Sequence, residues 1–245
     1  MPTKESNNNE CCKNIVELFS KKKYLRDPPY QLWKLQERVL SSIQKNRPIP
    51  LIGFWGIGQK QQANSADQRT CEQFSQLRQD VQTVYPPGLK FTFIIALPHA
   101  IHNGISQETI KQYTKEMIML FKKYDFDHIM LDKLWNKYNI TFERIDDIVN
   151  ILQQQKGWWE QVQSHELMEK NAIKRNKRVS PQKAAQFYYV MRNLEKKMLE
   201  QEFPDAIFHT FNSSSLANVL PDMPTIYLYI YDKVSHCPWF VEDER

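Results

Sequence analysis

Two short apolar segments bracket an amphipathic one between residues 50 and 104, and this arrangement restricts the fold more than any other feature of the chain. Residues 49–55 read Ile-Pro-Leu-Ile-Gly-Phe-Trp and are apolar on both faces. A strand that buries both faces belongs in the middle of a sheet covered on two sides, the usual setting of parallel strands. A loop with Gly56, Gly58 and a single lysine, Lys60, comes next. Residues 67–84 then place Phe74, Leu77, Val81 and Val84 at helical spacing. Tyr85-Pro86-Pro87-Gly88 turns the chain, and residues 91–97 form a second apolar strand that runs into a His-rich loop. In open sheets of this kind, ligands bind beyond the carboxyl ends of the strands.

The remaining pattern continues the alternation. Short helices are expected over 14–23 and 31–44, with Asp27-Pro28-Pro29 breaking the chain between them. Ser106 opens a helix carrying Ile110, Met117 and Leu120 inward, and residues 124–131 are β-compatible. Helices are expected over 143–154 and 157–175, and Ser180-Pro181 starts a longer one to residue 200, with Ser at N-cap and Pro at the first helical position. Strands at 206–211 and 226–234 complete the pattern. This predicts an α/β fold, a Rossmann-like three-layer sheet with helices on both faces and an N-terminal helical segment. The expected organisation is a disordered tail over 1–12 and one domain over 13–245, in which 13–48 pack on a 49–240 core.

Composition narrows the function classes. The chain has 245 residues, 41% of them hydrophobic, enough for one sizeable core. Its apolar runs are too short for a bilayer span, and the polar N-terminus gives no support for a secretory leader. Cys11, Cys12, Cys71 and Cys237 match no zinc spacing, so no metal is expected, and a reduced, cytoplasmic protein is. The net charge of +5 is modestly basic. The basic run over 170–183 has neither interleaved aromatics nor a nucleic-acid motif, so no nucleic-acid partner is expected. A basic interaction surface is an alternative use for it.

Several side chains could carry chemistry. Lys60 follows the first core strand and could hold an anion or form an imine, although a lone loop lysine is ordinarily exposed. Gly53, Gly56 and Gly58 lack the full dinucleotide spacing, and no nicotinamide cofactor is expected. Asp67 lies at a helix start, where capping is the common role. Asn64 and Ser65 are rival caps, and substrate contact is Asp67's other role. His99, His102 and Asn103 follow the second strand, and two histidines there suit proton transfer near neutral pH. Tyr188, Arg192 and Glu195 share a helical face. Arg192 suits a carboxylate or phosphate, while an exposed Arg192–Glu195 pair would be worth only tenths of a kcal/mol. His209 ends the strand after Phe203-Pro204-Asp205, and Pro238-Trp239 lie near the chain's end. Tryptophans such as Trp55, Trp158, Trp159 and Trp239 are more often core than substrate wall.

The order of Lys60, Asp67, Tyr85-Pro86-Pro87-Gly88, Tyr188…Arg192…Glu195, Phe203-Pro204-Asp205-Ala206-Ile207 and Pro238-Trp239 resembles the isonitrile synthase family, also called the pyoverdine/dityrosine biosynthesis family. The resemblance spans roughly residues 49–240. It implies a transferase of secondary metabolism that joins an amino acid's amine to a carbon of ribulose 5-phosphate and needs no cofactor. It further implies that Lys60 and Arg192 hold phosphate or carboxylate, Asp67 holds the amine, and His99 or His102 moves protons. Asn103, Tyr188, Glu195, His209 and Trp239 would complete the substrate pocket. Three positions depart from the family. Ala96-Leu97-Pro98 stands where the family has a Ser-Asp-Gly type turn, and Phe211-Asn212 where it has His-Pro. Phe240-Val241 follows Trp239 where the family has His-Gly. A non-catalytic protein of the same fold that binds a small anion is the alternative.

Overall fold

The computed structural model describes residues 4–176, 179–229 and 237–241. Helix α1 (Lys4–Phe19) and α2 (Leu32–Gln44) flank strand β1 (Leu25–Tyr30). The core begins with β2 (Ile49–Trp55), α3 (Ser65–Gln82), β3 (Leu89–Ile95), α4 (Leu97–His102), α5 (Gln107–Lys123) and β4 (Asp127–Met130). Helices α6 (Leu131–Lys137), α7 (Phe142–Gln153), α8 (His165–Arg175) and α9 (Pro181–Glu202) lead to β5 (Ile207–Thr210), and β6 (Thr225–Leu228) follows. Two 3-10 turns, Ser214–Val219 and Pro238–Phe240, complete the described elements.

The six strands form one sheet in the order β1-β6-β5-β2-β3-β4. Strands β2 to β6 pair in parallel, and β1 runs antiparallel to β6 at the edge. The expected α/β sheet with helices on both faces is what the chain adopts. Alternation along β2 explains the layers. Leu51 and Trp55 join the core under α1, α2, α3 and α5, while Ile52 joins the core under α6, α7 and α9. Both faces bury apolar side chains, which is why the segment reads as continuously apolar.

Two expectations change near the N-terminus. The tail expected to be disordered through residue 12 is helical from Lys4, because Cys12 and Ile15 pack into the core beside α2. Asp27-Pro28-Pro29 lies inside β1 rather than breaking the chain. An edge strand tolerates prolines, whose missing N–H groups face no neighbour. Three smaller shifts follow. The His-rich loop is helix α4, Leu131–Lys137 is a helix, and residues 157–164 are turns that precede α8. The end of the strand expected over 226–234 and the middle of the 170–183 basic run lie outside the described residues.

The connections place the site. From β2 the chain moves outward through β3 to β4, then returns across β2 to β5 and β6 on the other side. The direction reverses between β2 and β5, so a crevice opens at their carboxyl ends.

Candidate functional site

A cleft occupies that crevice. Phe54 and Gly56 line it from the end of β2, and Phe208 and Thr210 from β5. His99 and Asn103 come from α4 and its C-cap, Tyr188 and Arg192 from α9, and Trp239 and Phe240 from the C-terminal turn. Phe54, Phe208 and Thr210 share one face of the sheet by strand alternation, so aromatic walls and a hydroxyl meet at one edge.

The polar centre is built on Glu195, which is fully buried. Its Oε1 lies 2.7 Å from His99 Nε2 and accepts from Trp135 Nε1 at 3.0 Å. Its Oε2 accepts from Arg192 at 2.6 Å. Burial acts to raise the Glu195 carboxyl, but the charges and hydrogen bonds of His99 and Arg192 outweigh it and hold the group below the ordinary glutamate range. Arg192 is only 3% exposed and lies over the Phe54 ring at 4.3 Å. The expected i, i+3 pair therefore exists, but in the interior rather than at the surface. His99 packs on Phe54 at 5.3 Å and edge-on to Tyr188 at 6.4 Å. A histidine held by a buried carboxylate, with its ring on the cleft wall, is a suitable arrangement for proton transfer.

Lys60 and Asp67 form a second cluster. Lys60 Nζ donates to Asp67 Oδ2 at 2.5 Å, to Asn64 Oδ1 at 2.8 Å and to the Pro238 carbonyl at 2.8 Å. Asp67 also accepts from Tyr113 Oη at 2.6 Å and from the Asn64 backbone at 2.9 Å. Asn64 and Asp67 together form a capping box at the start of α3. The capping role foreseen for Asn64 and Asp67 thus holds. Lys60 is not the exposed loop lysine that a lone position suggests, since its side chain is 10% exposed. Its ammonium fastens the C-terminal segment to α3, helped by Asn64 Nδ2 donating to the Val241 carbonyl at 2.8 Å. Lys60 borders a neighbouring cleft that shares Asn103, Ile57, Trp239 and Phe240 with the main one.

Glycines seat the same segment. A Cβ on Gly56 would fall 2.3 Å from Trp239 Cε2, and one on Gly58 would fall 2.0 Å from the Trp239 carbonyl oxygen. Trp239 stands against Trp55 and Phe211 and forms cleft wall, whereas Trp55 and Trp159 are core.

The two other candidate histidines, His102 and His209, do not join His99. His102 turns to a separate chamber, stacks on Phe187 at 4.3 Å, and is pushed down to about 4 by burial and by His99. It is neutral at neutral pH, and the two histidines of the motif serve different cavities. His209 is not in the cleft lining. It points to the opposite face of the sheet among Phe74, Phe91, Phe93 and Phe211, and burial lowers it to about 3. Strand alternation explains this, because Phe208 and Thr210 take the cleft face on either side of it.

Sequence reasoning missed Trp135, Phe54, Phe208, Thr210 and Asn212. Trp135 carries no local signal, since its partner Glu195 lies 60 residues away. Phe54, Phe208 and Thr210 were accessible from period-2 alternation at the strand ends.

No family model matches the chain, and no curated protein matches it significantly. Solved structures do. The PvcA protein from Pseudomonas aeruginosa aligns at a TM-score of 0.64 with 12% identity, over 94% of this chain and 87% of that one. A Leishmania major tyrosyl-tRNA synthetase in complex with tyrosinol aligns at 0.52 with 11% identity, over 90% of this chain. Only 31% of the synthetase is spanned. A second crystal form of that synthetase aligns at 0.50. These likenesses establish a shared α/β architecture.

Proposed function

We propose that this protein is a biosynthetic enzyme of the isonitrile synthase type, acting on the amine of an amino acid with a sugar phosphate as second substrate. The observation that carries the reading is the His99–Glu195–Arg192 array at the switch-point cleft. His99, oriented by Glu195, exchanges the proton of the substrate amine. Arg192 supplies the positive charge for a carboxylate. Phe54, Tyr188 and Trp239 flank the apolar body. Arg26 and Lys174, which border the adjoining open cleft beside Phe211 and Asn212, suit the phosphate of the second substrate. Lys60 and Asp67 hold the Trp239 wall in place instead of contacting the reacting atoms. The architecture shared with PvcA fits this reading, and so does the one shared with a synthetase whose crystal holds tyrosinol.

One observation favours a second reading, ligand binding without this reaction. Among the described residues that line the main cleft there is no aspartate or glutamate, and Ala96-Leu97-Pro98 replaces the family's acidic turn. The test is a thermal shift with tyrosine, tryptophan and ribulose 5-phosphate, followed by mass spectrometry of the mixture. A ligand at 100 times its Kd raises stability by about 2.7 kcal/mol. An isonitrile product supports the enzyme. Stabilisation without product supports binding alone, and no stabilisation by any of the three rejects both.

A further inference from the structure

Glu195 is fully buried, so its carboxylate must be satisfied by the protein rather than by bulk water. Three helices supply the partners. Trp135 Nε1 on α6 and His99 Nε2 on α4 meet Oε1, and Arg192 on α9 meets Oε2. We propose that Trp135 is a positioning residue, which fixes the plane of the Glu195 carboxylate so that His99 keeps its proton on Nε2 and offers an unprotonated Nδ1 to the cleft as the base. This deepens the proposed function and rests on it for the identity of the substrate.

The tautomer follows from donor and acceptor capacity. Despite its burial, Glu195 is held below the ordinary glutamate range by His99 and Arg192, and it is ionised at neutral pH. An ionised carboxylate only accepts hydrogen bonds, whereas an indole N–H and a guanidinium only donate them. His99 Nε2, 2.7 Å from Oε1, is therefore the donating nitrogen. In the neutral ring the lone pair then lies on Nδ1, which makes no hydrogen bond to a described residue. The ring lines the cleft, and its side chain is 17% exposed. A substrate ammonium would pass its proton to Nδ1 and keep its electron pair, and the imidazolium so formed faces the Glu195 charge.

Trp135 is the donor placed to hold the carboxylate still. The last torsion of a glutamate is broad, so hydrogen bonds decide where its two oxygens point. His99 is the group to be positioned. Arg192 lies three residues from Glu195 on the same helix, lines the cleft and has an Nε without a partner among the described residues, so a bound anion would draw on it. Trp135 is 4% exposed, does not line the cleft, and packs edge-on to Phe142 at 5.4 Å. It stands one turn into α6, which begins directly after β4 and packs against α4. Its N–H thus ties the carboxylate to the sheet rather than to the ligand.

The test compares the parent with Trp135→Phe, which removes the N–H, by NMR of 15N-labelled histidine at about pH 8, above the ordinary imidazole range. A benzothienylalanine placed at position 135 by amber suppression keeps the bicyclic shape with sulfur in place of N–H, so the result is read even where the phenylalanine variant fails to fold. Loss of one signal in His99→Gln identifies the ring. The parent is expected to show the Nε2–H tautomer, with a slowly exchanging Nε2 proton. Without the indole N–H, that exchange should accelerate about tenfold or more, and the Nδ1–H tautomer should become populated. A parent ring protonated on Nδ1, or unchanged tautomer and exchange in a folded variant, overturns the inference, since a tryptophan that only fills the core would leave both unmoved. These readouts need no substrate. A parent that converts tyrosine or tryptophan with ribulose 5-phosphate should lose roughly tenfold or more in kcat without the indole N–H, with KM little changed. Unchanged kcat in a folded variant overturns the role. The expected tautomer and exchange with no product from either amino acid keep the positioning role and reject the isonitrile reading.

Discussion

Replacing His209 with leucine is expected to make the protein far less sensitive to acid. The ring is fully buried on β5, close over Gly53, where a Cβ would fall 2.3 Å from His209 Cε1. Neither ring nitrogen has a hydrogen-bond partner among the described residues. Burial pushes the group down to about 3, against roughly 6.5 in an unfolded chain. Between those values the unfolded chain binds the proton and the folded one does not. Stability is therefore intact above about pH 6.5 and falls as the pH drops toward 3. At pH 4 the unfolded group is almost fully protonated and the folded group still neutral, a gap worth about 3 kcal/mol. At pH 7 two effects oppose each other. Removing two orphaned nitrogens gains about 1–3 kcal/mol each, while lost contacts with four phenylalanines cost about 0.5–1.5 kcal/mol each. The neutral-pH change is thus small, and the informative quantity is the loss between pH 7 and pH 4. Urea unfolding at both values should show the leucine variant losing about 3 kcal/mol less than the parent. His102 contributes an acid loss of the same sign to both proteins and cancels. Equal losses in the two proteins, within about 1 kcal/mol, would refute the reasoning.

Three further outcomes follow from the site. Lys60→Met leaves Asp67 buried without its counter-charge, at a cost of about 3–5 kcal/mol. That lowers Tm by on the order of 10 °C, and limited proteolysis near residue 241 should accelerate; an unchanged melt and cleavage pattern would contradict the fastening role. Gly56→Ala drives a methyl into the Trp239 ring, costing about 1–3 kcal/mol and shifting tryptophan emission to the red; an unaltered spectrum and melt would show that Trp239 does not rest on Gly56. Glu195→Gln keeps the shape but leaves Arg192 buried without a carboxylate, a loss of about 3–5 kcal/mol at pH 7. Because the folded carboxyl lies below its ordinary range, its contribution is present above about pH 4.3 and disappears as the pH falls. Melts of parent and variant should therefore converge on acidification, and a gap that is constant from pH 7 to pH 3 would count against the ion pairing.

How far the sequence could be read depended on the range of the interactions. The all-apolar strands β2 and β3, the capped start of α3 and the Ser180-Pro181 opening of α9 depend on neighbours within one element, and each was legible. Strand β1 was hidden because Pro28-Pro29 looks like a break until the edge position is known. The second half of α1 was legible from its apolar stripe, but its first half was hidden because polar residues there outnumber the few that pack. Within the site, Tyr188, Arg192 and Glu195 were visible as a helical face. Their burial was not, since it depends on α4 and α6 closing over α9. His209 was misplaced by a single strand position, the error that a period of two makes easy.

A position that departs from the family pattern is also the one that brings a carboxylate-held histidine to the cleft wall. Where an acidic turn would follow β3, Leu97-Pro98 begins α4 at once, with Pro98 in the first turn where a missing N–H is harmless. That helix swings His99 back over the sheet to meet Glu195, 96 residues further on. The carboxylate absent from the strand end is thus supplied from α9. It comes at a price in stability, because buried charges such as Arg192 and Glu195 are commonly matched or bettered by apolar side chains of similar volume. Arg192 Nε even lacks a hydrogen-bond partner among the described residues. A pair that apolar side chains could replace without loss, at the switch point and with an unpaired donor beside the cleft, fits the ligand-binding role proposed for it.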